Sequence, residues 1–295
     1  MRTTALRALL VPISAGLLVL GGASAAGAED HPGGDDHSTV GVTASGSAVD
    51  IDREVVPAGT VRFEVATTNP LTAEGGGSEV TMFRLRPGVT LEEFFADLAL
   101  QFSERPEDAA ASTRGIDEDA TIHGLAFVAP DHPAVVTQEL ERGTYYLMDL
   151  ATTPTAAEPP AVTELRVTGY GDDDRRPLSD LSVTAHHLSF DAPRHWPSEG
   201  SFSFVNRSGM PHMALLVPVA DGTTDDAVQA AFDGTGPDVT REGPGGGADV
   251  VSPGGRLQLG YDLPAGTYAL MCFVADAETG IPHAVLGMHR VVVLH

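Results

Sequence analysis

The sequence predicts an all-β protein made of two β-sandwiches in tandem, each with a short inserted helix. Three observations predict it. Runs of alternating apolar and polar residues recur, with the period of a half-buried strand. Turn residues, 33 glycines and 21 prolines in 295 positions, interrupt those runs at short intervals. The runs also come in two matching sets, so the chain reads as one unit written twice.

The first 28 residues are expected to be removed. Arg2 and Arg7 supply a charged start, Ala8 to Leu20 is mostly apolar, and Ala26-Gly27-Ala28 offers a small-x-small cleavage site, the pattern of a secretory signal. The apolar run is short for a membrane anchor. No cysteine lies near the cut, which excludes a lipid-anchored precursor, and no later stretch is long and apolar enough to span a bilayer. The chain is therefore expected outside the cell. Residues 29–40 continue as a polar leader with no apolar period, expected to be disordered. A cut after Ala28 would start the mature chain at Glu29-Asp30-His31, where amine, amides and imidazole can chelate Cu(II) or Ni(II). An incidental histidine in a solvated tail is the plainer reading.

The repeat sets the domain bounds at 41–169 and 180–295. PAGTVRFEV (57–65) answers PSEGSFSFV (197–205), EVTMFRLRPGVT (79–90) answers HMALLVPVADGT (212–223), and ERGTYYLMDL (141–150) answers PAGTYALMCF (264–273). Each copy ends on a strand, ELRVT (164–168) or RVVVL (290–294). Thr90 and Glu93 form a capping box ahead of Leu91, Phe94, Phe95 and Leu98 at helical spacing. Thr223 and Asp226 are expected to open the counterpart helix. Between the copies, 170–179 reads YGDDDRRPLS, a charged linker; its Asp172–Asp174 run lacks the spaced ligands of a calcium loop. The Gly243–Gly255 stretch lacks a following lysine and is a loop, not a phosphate cradle.

The formal net charge is −24 and every basic residue is arginine. Such a surface repels phosphate backbones, so nucleic acid is excluded as a partner. Solubility outside the cell is the simplest use of the charge, and docking to a basic partner is the other. No Ser-His-Asp arrangement or paired-carboxylate motif is legible, so hydrolysis has no support.

Cys272 is the single cysteine. Unable to form an internal disulfide, it is a buried inert thiol, an intermolecular bridge or a ligand. A histidine, His283, and a methionine, Met288, follow it, and His212 stands at the mouth of another strand-like run. Thiolate, imidazole and thioether together are donors that select copper. Taken singly, His212 is a loop histidine, Cys272 a small buried residue and Met288 a core residue. The joint pattern points to ligation. Met210, Met213 and Met271 lie nearby as packing residues or a collar excluding water.

The motifs NRSGMPH (206–212), GTYALMC (266–272) and PHAVLGM (282–288) resemble those of the cupredoxins, the blue-copper domains related to plastocyanin and azurin. The resemblance covers residues 180–295 with all motifs and 41–169 by repeat alone. It implies Greek-key sandwiches and one copper ion, with His212, Cys272 and His283 as strong ligands and Met288 as the weak axial one. The chain departs from the family in one place. The family puts two to a few residues between the cysteine and the second histidine; here Phe273 to Pro282 intervene. The inserted VADAETGI is either a small excursion that returns His283 to the metal or a displacement of the imidazole. Multicopper oxidases also carry H-x-H pairs and a histidine beside the cysteine; neither is present, which argues against reduction of oxygen or nitrite.

In the first copy the repeat aligns Glu79 with His212 and Asp149 with Cys272. That copy is expected to lack copper ligands, with His123 and His132 at the surface. Three functional readings follow: one-electron transfer to an unnamed redox partner, copper storage or exchange, and a metal-free extracellular interaction module. All three describe a carrier or binding protein rather than a catalyst.

Overall fold

The computed structural model describes residues 38–70, 77–151, 155, 158–171 and 178–295. The expected signal segment, the Glu29-Asp30-His31 start and most of the linker lie outside those residues; the leader expected to be disordered over 29–40 is corrected at its end, where Thr39 and Val40 already pair as the start of the first strand. The first half runs β1 (Thr39–Ala44), β2 (Val49–Ile51), β3 (Val55–Pro57), β4 (Gly59–Thr67), β5 (Ser78–Leu85), α1 (Leu91–Leu100), α2 (Pro106–Asp119), β6 (Ala120–Ile122), β7 (Ala126–Val128), β8 (Ala134–Leu140), β9 (Gly143–Asp149) and β10 (Thr163–Thr168). The second runs β11 (Leu181–Ala185), β12 (Phe190–Asp191), β13 (His195–Trp196), β14 (Glu199–Asn206), β15 (His212–Pro218), α3 (Asp225–Phe232), β16 (Gly246–Val251), β17 (Arg256–Asp262), β18 (Gly266–Met271) and β19 (His289–Leu294).

The alternation read from sequence is the alternation of burial. Val61, Phe63 and Val65 of β4 point inward while Arg62 and Glu64 face solvent. Phe202 and Phe204 do the same in β14. Those inward rows meet between two sheets, the all-β sandwich expected of such strands. In both halves a Gly-Thr-Tyr start anchors the strand that leads to the site position. Tyr145 Oη donates to Glu141 O at 3.0 Å, and Tyr268 Oη donates to Pro264 O at 2.9 Å.

The halves are joined edge to edge, which the sequence did not reveal. One sheet has the order β12-β11-β14-β17-β8-β4-β1-β2; the other has β13-β19-β18-β15-β16-β7-β5-β9-β10-β3. In the first, β17 pairs β8 antiparallel, Leu259 opposite Val136. In the second, β16 pairs β7, Ala248 opposite Ala126. Each pairing covers two strand edges that would otherwise be open. One core of buried side chains runs through both halves, from Val40 to Leu294.

The helices depart from expectation in two ways. The capping box at Thr90 is present, with Glu93 N donating to Thr90 Oγ1 and Thr90 N donating to Glu93 Oε2. The second cap is Thr224, whose Oγ1 accepts from Ala227 N at 3.2 Å. Thr223 instead donates to the Ala220 carbonyl, so the expected Thr223 start is corrected by one residue. The first half also holds a second helix, α2, where one was expected. Its buried face is Ala109, Ala110, Ser112 and Thr113, too small and polar to show an apolar stripe. Pro106 opens it at a position where a missing N–H costs nothing.

Candidate metal centre

Strand register gathers the site at one pole of the second half. Leu215 of β15 pairs with Met271 of β18, and Met271 pairs with His289 of β19. His212 therefore enters where β15 begins, Cys272 leaves where β18 ends, and Met288 precedes β19. The register of β15 against β16 shifts between His212 and Ala214, where β16 carries one extra residue. Gly247 of β16 lies close under this stretch: it holds φ +147°, and a Cβ there would lie 2.2 Å from the Ala214 carbonyl.

The loop before His212 is built by Asn206, which is fully buried. Its Nδ2 donates to Met210 O at 2.7 Å and Val251 O at 2.9 Å, while its Oδ1 accepts from Ser208 N and Oγ. This asparagine opens the motif NRSGMPH (206–212). An asparagine followed two residues later by serine is the turn signal that would have found it.

The long Cys–His segment is a closed hairpin. Ala275 and Pro282 bridge antiparallel, and His283 N donates to Val274 O at 2.9 Å. Asp276 Oδ1 accepts from Thr279 N, Thr279 Oγ1 and Glu278 N. An aspartate with threonine and glycine three and four residues on is a self-capping turn. The excursion thus returns, and His283 leaves it beside the strand end that carries Cys272. Ala284 N donates to Cys272 O at 2.7 Å.

His212, Cys272 and His283 are brought together, each with no exposed surface. Cys272 Sγ lies 3.5 Å from Nδ1 of His212 and 3.5 Å from Nδ1 of His283, and the three donor atoms lie within 4.8 Å of one another. The rings stand 4.8 Å apart at 53°. A trigonal ion about 2.0 Å from nitrogen and about 2.3 Å from sulfur sets N and S about 3.7 Å apart. The two sulfur–nitrogen separations fit a shared ion, and one sulfur with two imidazoles fits copper. Both Nε2 atoms are buried without a hydrogen-bond partner among the described residues. Met288 is also fully buried; its N donates to His283 O at 2.8 Å and its O accepts from Cys272 N at 3.3 Å.

Burial sets the protonation of the metal-free site. It pushes the Cys272 thiol up to about 12, against hydrogen bonds from the Met213 and Val274 backbone. Burial, then the charge of His283, lowers His212 to about 3. Burial lowers His283 to about 4, with Asp276 acting in the opposite direction. The charge of His187 depresses both imidazoles, so that exposed residue, passed over in the sequence, lies within electrostatic reach. The site is a neutral thiol facing two neutral imidazoles. Met213 and Met271 pack in the apolar clusters.

The first half holds a different set at the corresponding place. Met82 of β5 pairs with Leu147 of β9 as Leu216 pairs with Leu270. Counting back along each strand puts Ser78, not Glu79, at the position of His212. Asp149 does fall at the position of Cys272. Ser78 Oγ donates to Asp149 Oδ2 at 2.7 Å, and Gly46 N donates to the same oxygen at 2.7 Å. His123 and His132 are not at the surface as expected. The His123 ring stands edge-on to Tyr145, 5.1 Å between centroids, and His132 Nδ1 lies 2.9 Å from Asp262 O. Both are half-buried.

No protein-family profile and no curated protein matches the chain. Among solved structures, auracyanin B is 22% identical over 41% of this chain and 93% of its own, with a TM-score of 0.26. Auracyanin A, described as a "blue" copper protein from Chloroflexus aurantiacus, is 16% identical over 39% of this chain and 99% of its own, with a TM-score of 0.23. A copper-containing nitrite reductase from Thermus scotoductus SA-01 is 12% identical over 88% of this chain and 68% of its own, at 0.21. Likeness at this level does not decide what this chain does; its own donor set has to.

Proposed function

We propose that the chain is an exported cupredoxin-like protein that binds one copper ion through His212, Cys272 and His283, with Met288 as a fourth, weaker donor, and passes single electrons. The observation that carries this reading is the convergence of one sulfur and two Nδ1 atoms at 3.5 Å in a fully buried place. Copper, when bound, supplies a one-electron couple.

The protein's part is to hold the donors still. His212 and Cys272 stand at strand ends, and His283 is tied by its N to Val274 O and by its O to Met288 N. Donors fixed by backbone rearrange little, which favours transfer over substrate chemistry. Burial keeps water from the four side chains, and the Met213 and Val274 backbone bonds to sulfur hold it in place. With all four donors engaged, a bound ion would have no open position for a substrate. In this reading residues 41–169 carry no copper, since Asp149 and Ser78 bond each other where the donors would be. Among the described residues no helix is long and apolar enough to cross a membrane. Export and a diffusible redox partner belong to the proposal.

Reversible redox cycling tests the electron-transfer reading. The copper-loaded chain should be reduced by ascorbate and reoxidised by ferricyanide over many cycles with its copper retained. Release of the ion to a Cu(I) chelator on first reduction would favour storage or exchange.

A further inference from the structure

The Cys–His hairpin does not stand alone: α2, from the other half of the chain, lies against it. Thr113 Oγ1 donates to the Ala275 carbonyl at 2.9 Å, the shorter of its two contacts. The Arg114 guanidinium donates to the Ala277 carbonyl. At the far end of the same helix, Pro106 packs on Gly280. Gly280 holds φ +68°, and a Cβ there would fall 1.8 Å from the Pro106 carbonyl. Pro106 and Thr113 are two turns apart, about 11 Å along the axis, so the hairpin is gripped at both ends. Thr113 is itself buried, at 8% exposure.

We propose that α2 is a positioning element for the metal centre: Thr113 and Pro106 fix the 274–282 hairpin, and through it His283. The inference rests on the copper reading for its purpose, though not for its geometry. A ten-residue excursion on a ligand loop adds freedom that a short loop lacks, and freedom at a ligand loosens the site. The hairpin closes its own base through Ala275 and Pro282; the helix removes the remaining rocking motion. This gives the first half, which lacks donors, a task at the second half's site. Thr113 acts through the hairpin and touches no ligand.

The test uses the full chain with Thr113→Val, Thr113→Ser and Gly280→Ala. In metal-free protein, amide exchange at Gly280 and His283 should quicken about fivefold or more in Thr113→Val, the scale of one lost hydrogen bond. It should quicken in Gly280→Ala as well, stay unchanged in Thr113→Ser, and stay unchanged at Val292 in all three. In copper-loaded protein the two disruptive variants should shift the charge-transfer band and the reduction potential, and Thr113→Ser should restore both. Unchanged exchange at Gly280 and His283 in both disruptive variants overturns the proposal. So does quickened exchange with a wild-type spectrum and potential. A wild-type chain that gives no copper spectrum sinks the copper reading, and with it this purpose for the clamp, even where exchange shows the grip itself.

Discussion

Ser78 donates to Asp149 at 2.7 Å at the strand positions that His212 and Cys272 hold in the other half. Matching strand positions thus carry a hydrogen-bonded polar pair in one half and candidate metal donors in the other. The polar pair needs no ion to be satisfied. Asp149 also accepts from Gly46 N and Ala151 N.

Asp149→Ala should therefore act on stability alone. It would leave two buried donors, Ser78 Oγ and Gly46 N, without this acceptor, a cost of about 2 kcal/mol. Urea unfolding should show that loss, with copper stoichiometry unchanged. A variant that loses copper while keeping its stability would give Asp149 a role in the metal centre instead.

Copper uptake should release one proton near neutral pH. The thiol is held near 12, so it must deprotonate on binding. The imidazoles, held near 3 and 4, are already free. Affinity should rise about tenfold per pH unit between roughly pH 6 and 9. Calorimetry in buffers of different ionisation enthalpy reads the number directly, and zero or two protons would contradict the protonation assigned here.

Met288→Leu should keep the fold and the colour and raise the reduction potential. The exchange nearly conserves volume, costing less than about 1.5 kcal/mol. Removing a thioether donor disfavours the oxidised ion more than the reduced one. Voltammetry of the loaded variant checks the direction, and an unshifted potential would remove Met288 from the donor set.

A second pH effect comes from Glu79 and Asp249. Burial pushes both carboxyls up, Asp249 to about 6, and the charge of Asp249 adds to the rise at Glu79. An acid held up in the folded state binds protons that the unfolded chain has lost. The contribution of Asp249 is full below about pH 4 and is lost as pH rises through about 6. Asp249→Asn should gain on the wild type between pH 4.5 and pH 8, as measured by urea unfolding at both pH values. An equal difference at the two would contradict the assignment.

Much of the site was legible because strand ends leave marks. Gly-Thr-Tyr announces the strand that ends at Cys272, and the donors flank apolar runs. The one-residue error at Glu79 arose where pattern is weakest, since alternation fixes a strand's faces but the register against β9 fixes which residue meets Asp149. Helix α2 was illegible because its inward face is alanine, serine and threonine. The edge pairings of β17 with β8 and β16 with β7 were illegible for a different reason. A strand's sequence states which side is buried, not which neighbour it will bond.

Titration of Cu(II) into the purified chain, followed by absorption and electron-spin spectra, tests the donor set most directly. One ion per chain should bind, with an intense thiolate-to-copper band that Cys272→Ser abolishes. No stoichiometric copper after dialysis, or a spectrum that Cys272→Ser leaves unchanged, would contradict that donor set.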